Sequence, residues 1–290
     1  MGLALSSVHI RKLCTEDLDF AYEMVATEQW NDRRRDIERM LEYESGGCFI
    51  AEVNGDSAGH VFSVCYGRLG WIGLLIVKTE YREKSIGSML MEKVKENLLN
   101  QGVETIKLEA APEIANLYRK LDFVDEYDSL RFAGTVRKQI CPKSENVSLM
   151  KFADVAETAK FDERYFGANR ERVISNLFNE YPAYCFVSSL ASTAKGYVMC
   201  RNAEFGFKLG PWVCNPKEPE VAEELLLSCL ASLKPDANVY VGVPAVNKVA
   251  VGLLRDLGFV QYSKSIRMRF GKELDDCVDG VFAIGGPMKG

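Results

Sequence analysis

The fold is decided by a stretch that reads WIGLLIVKTEYREKSIGS at residues 71–88. Residues 71–77 form a short apolar run that ends in β-branched residues, which is typical of a buried strand. From Ser88 onward, apolar residues recur at helical spacing with charged residues between them, namely Met89, Leu90, Val94, Leu98 and Leu99. This spacing predicts an amphipathic helix of about four turns. The stretch therefore predicts a strand, a short polar loop and a helix in direct succession.

The polar loop between this strand and this helix has the properties of an anion site. The N–H groups in the first turn of a helix have no partner within the helix, and the helix dipole favours negative charge there. Arg82 and Lys84 add two cations, and a diphosphate is an anion that such a nest of N–H groups suits. The loop is not a Walker loop, because no Gly-Lys-Ser/Thr follows, and it lacks the three glycines of a dinucleotide fingerprint.

The spacing Arg82-x-x-Ser85-x-Gly87 resembles the acyl-CoA loop of the GNAT N-acetyltransferases, R/Q-x-x-G-x-G/A, with Ser85 where the family usually has glycine. The resemblance implies that acetyl-CoA is the acyl donor. It implies a CoA site formed by Arg82, Lys84, Ser85, Ile86, Gly87 and Ser88. It also implies that pantetheine pairs with the backbone around Ile76 and Val77, beside a splay in the sheet. Serine is favoured at helix starts, so Ser85 is expected to be compatible with phosphate binding.

A second motif supports the resemblance. The stretch LYRKLDF at residues 117–123 is similar to the late motif of the family, in which Leu-Tyr is followed by a short basic stretch and Leu-Gly-Phe. Here Asp122 takes the place of the glycine. Because both motifs occur in the family's order on the predicted elements, residues 8–134 are identified as a GNAT domain.

The element order of the first half agrees with that identification. Strands are predicted at residues 8–13, 48–53, 58–65, 71–77 and 104–109, and as a closing pair at 123–132. Helices are predicted at 15–25, after Asp32, at 85–100 and at 113–121. Asn54-Gly55-Asp56 is a hairpin signal between the second and third strands. This order predicts an α/β protein with a mixed, mostly antiparallel and twisted sheet that has helices on its faces, as in the GNAT fold.

The second half of the chain repeats the first. A shift of 136 residues places Val77 on Val213 and Tyr118 on Leu254. The pattern predicts two tandem domains, at 1–140 and 146–290, joined by a linker near the stretch CPKS at 141–144. At 290 residues the chain is long enough for two such cores. The second half resembles the GNAT-like C-terminal domain of tandem acetyltransferases.

The repeat has lost the cationic loop. Residues 215–224 read NPKEPEVAEE, so Glu218 stands where the first half has Arg82. Four carboxylates near a helix N-terminus stabilise the helix but repel a diphosphate. The stretch from Asn247 does keep the family's late asparagine, where the first half has Ala111. The second domain is therefore interpreted as a structural or substrate-shaping partner.

Composition and charge narrow the class of protein. With 47% hydrophobic and 27% charged residues, the chain is typical of soluble globular proteins. A net charge of −5 argues against a general nucleic-acid binder. No apolar segment approaches the length of a membrane span, and no signal peptide is evident, so a cytoplasmic protein with no membrane partner is expected. The oligomeric state, monomer or homodimer, stays open.

The cysteines and histidines argue against several other kinds of site. Nine cysteines, an odd number, occur without a C-x-x-C spacing, so no zinc or other metal is expected and the thiols are interpreted as core residues in a reducing compartment. With only two histidines in the chain, a Ser/His/Asp triad is disfavoured. His60, on a predicted strand, is expected to be structural.

Transfer of an acyl group to an amine needs a proton donor for the leaving thiolate and an acceptor for the proton of the amine. Tyr118 is the candidate acid, because a phenol with a pKa of about 10 is protonated at neutral pH. The alternative is that Tyr118 is a buried aromatic residue of a short helix. Its place in the late motif favours the catalytic role.

The base is left open between two carboxylates. Glu109 ends a strand before Pro112, and such strand ends face ligand crevices. Glu28 lies beside Trp30 and Asn31, in the segment that lines the acceptor side in the GNAT family, so these two residues are candidates for acceptor binding. Either carboxylate could take a proton through water, and either could be an ordinary surface charge.

Two functions remain in play. One is an acetyl-CoA-dependent N-acyltransferase that acts on a primary amine of a small molecule or a protein. The other is a non-catalytic acyl-CoA or metabolite-binding module, since Ser85, Ala111 and Asp122 depart from the family pattern. Retention of Arg82 and Tyr118 in one half only favours the enzyme. A net acidic protein favours a basic amine, but whole-chain charge is a weak guide to one pocket.

Overall fold

One twisted sheet of 13 strands organises the part of the chain that the structure describes. The computed structural model describes residues 8–44, 46–137, 146–190, 193–274 and 276–290. The predicted linker at residues 141–144 therefore lies outside the described residues. Helices cover both faces of the sheet, so the predicted α/β class with a mixed sheet is confirmed.

The first half contains six strands and four helices within the described residues. The strands are β1 (Val8–Lys12), β2 (Phe49–Val53), β3 (Asp56–Tyr66), β4 (Leu69–Val77), β5 (Thr105–Ala110) and β6 (Val124–Thr135). The helices are α1 (Leu18–Thr27), α2 (Arg34–Tyr43), α3 (Ile86–Asn100) and α4 (Ala115–Arg119). Short 3-10 turns precede α1, α3 and α4 at Thr15–Asp17, Thr79–Tyr81 and Pro112–Ile114.

The described part of the second half has the same sequence of elements and one extra strand at its end. The strands are β7 (Val147–Leu149), β8 (Cys185–Leu190), β9 (Thr193–Asn202), β10 (Phe207–Cys214), β11 (Asn238–Pro244), β12 (Val260–Gly271) and β13 (Val281–Ala283). The helices are α5 (Val155–Phe166), α6 (Glu171–Glu180), α7 (Pro219–Ala231) and α8 (Lys248–Asp256). Further 3-10 turns lie at Phe152–Asp154, Pro182–Tyr184 and Val278–Gly280.

The predicted hairpin between β2 and β3 is confirmed. Val53 and Asp56 are partners across the two strands, so Asn54 and Gly55 form a two-residue turn. Both have positive φ, 54° and 90°, as a type I′ turn requires. Asparagine and glycine adopt this conformation more readily than other residues, which is why the signal is local and readable.

The last strands of the two halves are exchanged. The sheet order is β1-β2-β3-β4-β5-β12-β6-β11-β10-β9-β8-β7, with β13 beside β10. Thus β12 pairs with β5 of the first half, β6 pairs with β11 of the second half, and β6 and β12 pair with each other. Accordingly, Met268 of β12 is buried in the core of the first half and Phe132 of β6 in the core of the second.

The prediction of a closing strand pair within residues 123–132 is wrong. Residues 124–135 form one continuous strand, and its antiparallel partner is β12, from the other half. Alternation of apolar and polar residues shows that a segment is extended and which face is buried, but it does not identify the neighbouring strand. The alternation therefore predicts a strand here but not its partner, which lies in the other half.

Each half has a gap in its sheet next to a parallel strand pair. In the first half, β4 and β5 pair from Leu69–Ile72 to Thr105–Leu108 and then separate. Beyond that point the register of β3 and β4 shifts, and Leu74 has a φ of 51°. Such an irregularity bends the strand and ends its pairing on one side. The gap between β4 and β5 stays open.

The corresponding gap in the second half is filled by the chain itself. There β10 and β11 pair in parallel only over Phe207–Leu209, and the register of β9 and β10 shifts after Leu209. β13 enters this gap and pairs with β10 at Trp212 and Val213. Ile284 N–H then donates to Gly242 O of β11 at 2.9 Å. The two halves thus share a strand irregularity but differ in what occupies the space beside it.

Candidate active site

A cavity of about 450 Å³ lies at the open gap between β4 and β5. The first half lines it with residues 72–75 of β4, with Leu108 and Glu109 at the end of β5, and with Tyr118 of α4. The second half closes it with residues of β9, β10, β11 and β12 and with the segment 284–288. The cavity therefore lies between the two halves, and both contribute to its wall.

The predicted anion loop joins β4 to α3 at one end of this gap. The N–H groups from Glu83 to Ser88 have no acceptor among the described residues. They are next to the exposed side chains of Arg82 and Lys84. Free N–H groups at the start of a 15-residue helix, together with two cations, are suited to an anion.

Ser85 differs from the expected capping serine. It precedes α3 directly, but its φ of 61° is in the left-handed region and its side chain caps no N–H group. A capping residue normally has an extended backbone. The left-handed conformation explains why the family usually has glycine here, since a Cβ is disfavoured in it. Ser85 nevertheless keeps this loop conformation.

Arg82 is fixed at the end of β4 by two contacts. Its Nε donates to Val77 O at 2.9 Å, and its Nη2 forms an ion pair with Glu28. Glu28, one of the two candidate bases, therefore lies beside the anion loop and not among the residues that line the cavity. The Lys84 ammonium lies over the ring of Tyr81, 5.1 Å from its centroid.

The backbone of Ile76 and Val77 lies between this loop and the cavity. Lys78 N–H donates to Ala58 O of β3 at 2.8 Å. Because successive peptide groups of a strand point to opposite edges, the N–H and C=O of Val77 turn toward the open gap. Val77 O is used by Arg82, whereas Ile76 pairs with His60 of β3. Val77 N–H is thus the free backbone donor of this pair at the gap.

Tyr118 is brought to the cavity by α4. Its side chain is 5% exposed and packs edge-to-face against Phe123, with ring centroids 6.1 Å apart. Burial raises the pKa of the Tyr118 phenol above its ordinary value. The hydroxyl is therefore protonated throughout the neutral range. Tyr118 is thus both a buried aromatic residue that packs in the core and a residue that lines the cavity.

Glu109 also reaches the cavity wall, but as a paired carboxylate. It contacts Arg131 of β6 at 3.0 Å and Arg267 of β12 at 2.6 Å, and it accepts a hydrogen bond from Ser265. Burial raises the pKa of Glu109, but the charges of Arg267 and Arg131 and the hydrogen bonds outweigh it and lower the pKa overall. All three partners belong to the exchanged strands. The sequence pattern gave no sign of them.

Trp30 and Asn31 lie at the mouth of the cavity, where they meet the second half. Asn31 Nδ2 donates to Phe205 O at 3.1 Å, and Phe205 N–H donates to Asn31 Oδ1 at 2.7 Å. The ring of Trp30 remains 41% exposed. The predicted acceptor-side segment thus holds a loop of the other half.

Several residues that line the cavity were not among those predicted from the sequence. Arg201 and Lys208 project from β9 and β10, and Lys208 Nζ lies 2.5 Å from Asp32. Charged residues within otherwise apolar strands were the available signal. The segment 285–288 was missed as well. Trp71 Nε1 donates to Pro287 O at 2.9 Å, and a Cβ at Gly73 would lie only 2.5 Å from the Cα of Met288.

The remaining reactive groups are away from the cavity. His60 is buried between the rings of Phe20 and Phe62, and burial lowers its pKa to about 4. The eight described cysteines are free thiols, five of them buried, and Cys141 is outside the described residues. Within the described ranges, no cluster of three His, Cys, Asp or Glu side chains could hold a metal ion. No helix in the described part of the chain is long and apolar enough to cross a membrane.

Comparison with known proteins agrees with this geometry. Two sequence models match the chain, one described as the acetyltransferase (GNAT) family over residues 11–123 and one as the acetyltransferase (GNAT) domain over 158–283. A holothin acyltransferase of Pseudoalteromonas sp. (strain SANK 73390) is 24% identical over 89% of this chain and 86% of its own length. An acetyltransferase of Pectobacterium atrosepticum is 31% identical over 32% of this chain and 69% of its own length.

Solved structures match the whole chain. A Pyrococcus horikoshii protein assigned to the acetyltransferases has a TM-score of 0.83 and 25% identity, over 100% of this chain and 98% of its own. A tandem GNAT protein from the clavulanic acid biosynthesis pathway has a TM-score of 0.65 and 10% identity, over 91% of this chain and 98% of its own. This chain is thus an acyltransferase that belongs to the GNAT N-acetyltransferase family, in its tandem-domain form.

Proposed function

We propose that the protein transfers an acetyl group from acetyl-CoA to a primary amine of a small molecule or protein, by direct attack of the amine on the thioester. The observation that carries the proposal is the single open gap of the first half. Along β4, the cavity that Tyr118 of α4 also lines is followed by the free strand edge at Val77 and then by the anion loop before α3. In the described second half, β13 fills the equivalent gap.

The residues of the first half fit coenzyme A. The free N–H groups from Glu83 to Ser88, with Arg82 and Lys84 beside them, suit the diphosphate. Ile86, Gly87 and Ser88 supply the first-turn N–H groups, and Val77 N–H is free at the gap for an amide of the pantetheine arm. When bound, acetyl-CoA supplies the acyl group as a thioester. The cavity at residues 72–75 then provides the space for the reacting groups.

Tyr118 is proposed to hold the proton that the leaving sulfur needs. Its raised pKa keeps the phenol protonated, and its hydroxyl-bearing ring lines the cavity. A positioned general acid contributes about 10²- to 10⁴-fold to a rate. Among the described residues no histidine lines the cavity, whereas three tyrosines do, Tyr118, Tyr240 and Tyr262. Tyr118 is the one that belongs to the half with the anion loop.

For the proton of the amine, position favours Glu109 over Glu28. Glu109 lines the cavity, whereas Glu28 is ion-paired with Arg82 outside it. The arginines that lower the pKa of Glu109 keep it ionised, and they also make it a weak base. We propose that Glu109 takes the proton through a water molecule and that Glu28 orients Arg82 at the anion loop.

The backbone conformation at Ser85 and Asp122 argues against the alternative of a non-catalytic module. Ser85 and Asp122 depart from the family's glycines, yet both have positive φ, 61° and 66°. In the second half, Gly258 of the matching Leu-Gly-Phe has a φ of 83°. The substitutions therefore preserve the backbone conformation of both motifs, and a degraded site would not require this.

The test is an acetylation assay with acetyl-CoA and a panel of primary amines, read as thiol release and as the mass of the product. We expect acetylated product with at least one amine and none with Arg82→Glu. Stoichiometric binding of CoA together with no product from any amine would contradict the proposal and support the binding module.

A further inference from the structure

The wall of the cavity is cationic although the chain as a whole is acidic. The charged side chains that line the cavity are Arg131, Arg201, Lys208 and Lys264 against Asp32 and Glu109. Four cations thus face two carboxylates, in a protein of net charge −5. Of the four, Lys264 also forms an ion pair with Asp128 at 2.8 Å. A cleft lined mainly by one sign of charge attracts ligands of the other sign and repels its own. This wall disfavours a polycationic amine.

The excess positive charge is concentrated on the second half. Lys208 of β10 and Arg201 of β9 are directly opposite each other in the strand pair. Like charges at directly opposite positions destabilise a sheet. Arg201 is almost fully buried, so solvent does not relieve the repulsion. Such a pair needs negative charge from elsewhere.

The protein supplies only part of that negative charge. Arg201 Nε lies 3.3 Å from Asp36 Oδ1, but the same oxygen is 2.6 Å from Arg39 Nη2. One carboxylate is therefore shared between two guanidinium groups. Arg201 Nη2 has no hydrogen-bond partner among the described residues. A buried donor without a partner costs free energy that an incoming acceptor would recover.

A further buried amine, that of Lys289, is close enough to this cluster to be affected by its charges. Lys289 is fully buried, and its Nζ has no hydrogen-bond partner within the described chain. Burial and the charges of Arg201 and Arg39 lower the pKa of Lys289 well below its ordinary value. Neither Asp36 nor Asp32 forms a hydrogen bond with this amine among the described residues.

Lys208 is the member of the cluster that a ligand can reach. Its side chain is 16% exposed and lines the cavity. An ammonium group has three donors, and the one hydrogen bond from Lys208 Nζ within the described residues goes to Asp32. Burial lowers the pKa of Lys208, and the charge of Arg201 lowers it further, against the effect of Asp32. An anion at the free donors would stabilise its charged form.

We propose that the acceptor carries a carboxylate in addition to its amine, and that Lys208, next to Arg201, binds this carboxylate. The proposal rests on the proposed acetyl transfer and names the class of acceptor for it: an amino carboxylic acid. The same positive charge disfavours the ammonium form of the acceptor. The wall would therefore select the carboxylate and favour the neutral amine that attacks.

The test measures acceptor binding separately from turnover. Calorimetry on the full chain saturated with CoA compares matched pairs of amine ligands. In each pair one ligand has a carboxylate and the other a carboxamide at the same position, far from the amine. The pairs are para-(aminomethyl)benzoate with para-(aminomethyl)benzamide, and delta-aminovalerate with delta-aminovaleramide. In the native protein we expect at least one carboxylate to bind about tenfold or more tightly than its carboxamide, the scale of a charge-assisted hydrogen bond.

Variants assign that preference to the cluster. Lys208→Met should remove it, Lys208→Arg should retain it, and Lys93→Met on the outer face of α3 should leave it unchanged. Equal binding of both members of each pair, a preference that survives in Lys208→Met, or binding of no member of the panel overturns the inference. Carboxylate binding without acetylated product would instead overturn the proposed function and leave this inference standing.

Discussion

The two halves of the molecule treat the same gap in opposite ways. β4 and β10 both begin in parallel with a neighbour, both shift register, and both separate from that neighbour. In the first half the space beyond becomes a cavity, and in the second half β13 occupies it. The comparison shows that the GNAT fold provides a place for a ligand, and that the loop and the later chain decide whether a ligand can enter it.

The loops before the two long helices differ in the same direction. Arg82 and Lys84 precede α3, whereas Glu218 and Glu220 flank the start of α7. Glu218 forms an ion pair with Lys195 at 2.9 Å, so this pair leaves no net positive charge beside the start of α7. In the second half, the loss of the cationic loop and the filled gap therefore occur together. For both reasons we predict one CoA site per chain, in the first half.

The largest effect should come from changing the charged residue at the matching position of each loop, Arg82 in the first half and Glu218 in the second. Arg82→Glu should abolish CoA binding, because it removes the cation held at Val77 O and places a carboxylate opposite Glu28. The matched change Glu218→Ala should leave affinity nearly unaltered. Titration calorimetry measures both. Two equivalent CoA sites in the native chain, or a large loss of CoA affinity in Glu218→Ala, would contradict the distinction between the halves.

Tyr118→Phe should lower turnover by about 10- to 1000-fold, the lower part of the range for general acid catalysis. CoA affinity should hardly change, because the lost hydroxyl acts on the leaving group and not on the diphosphate. Tyr165→Phe, beneath Gly280 in the second half, is the matched control. Steady-state kinetics with an acceptor from the panel decides. Unchanged turnover in Tyr118→Phe would remove the acid from the mechanism.

A fall in pH should lower the free energy of unfolding through His60, which lies in the first half with the other histidine of the chain. The pKa of His60 is about 4 in the folded protein, against about 6.5 when unfolded. The contribution of His60 is therefore complete above about pH 6.5 and is lost as the pH falls toward 4, by at most about 3 kcal/mol. Denaturant unfolding of the native protein and His60→Leu across this range isolates it. Parallel stability curves would contradict the neutral, buried histidine.

We expect Asn247 to hold β13 in the gap of the second half. Its Nδ2 donates to Asp279 O at 2.9 Å and Val281 O at 3.1 Å, and its Oδ1 accepts from Ala250 N–H at 2.9 Å. Asn247→Ala should cost about 2 kcal/mol, the sum of a helix cap and buried hydrogen bonds. Denaturant unfolding measures it, with exposed Asn238→Ala as the control. A cost below about 0.5 kcal/mol would mean that β13 is held by other contacts.

The smallest effect concerns the conformations of the two loop residues. Ser85 has a φ of 61°, whereas Glu218 at the start of α7 has a φ of −127°. Ser85→Gly should therefore raise the free energy of unfolding by up to about 1 kcal/mol, while Glu218→Gly should not. CoA affinity should change only modestly. A hundredfold gain in affinity for Ser85→Gly would show that the native loop is impaired and would favour the binding-module alternative.

Local signals in the sequence predicted the features that depend on neighbours in the chain. The succession of β4, loop and α3 follows from apolar spacing, and the hairpin at Asn54-Gly55 follows from turn chemistry. The family and the tandem organisation followed from motifs and from the repeat. The identity of Tyr118 as a cavity residue came with the late motif. None of these predictions required knowledge of which strands pair over long distances. The catalytic role of Tyr118 stays a prediction.

Features that depend on distant pairing could not be predicted. The partners of Glu109 come from β6 and β12, and Arg201 and Lys208 approach the cavity from β9 and β10. A charged residue within an apolar strand marks Arg201 and Lys208 as unusual, but their own segments do not show which cavity they line. The boundary at residues 140–146 stays a prediction about the chain, but the exchanged strands mean that a fragment ending at Pro142 would lack the strand that covers β5.

The exchange also constrains how the protein is made. β5 ends at Ala110 and its neighbour β12 begins at Val260, so 260 − 110 = 150 positions separate them along the chain. During translation the edge of β5 is synthesised long before the strand that covers it. Pairings of such long range are slow to form, and open strand edges promote association with other nascent chains. The first half can complete its sheet only after the ribosome has nearly finished the second.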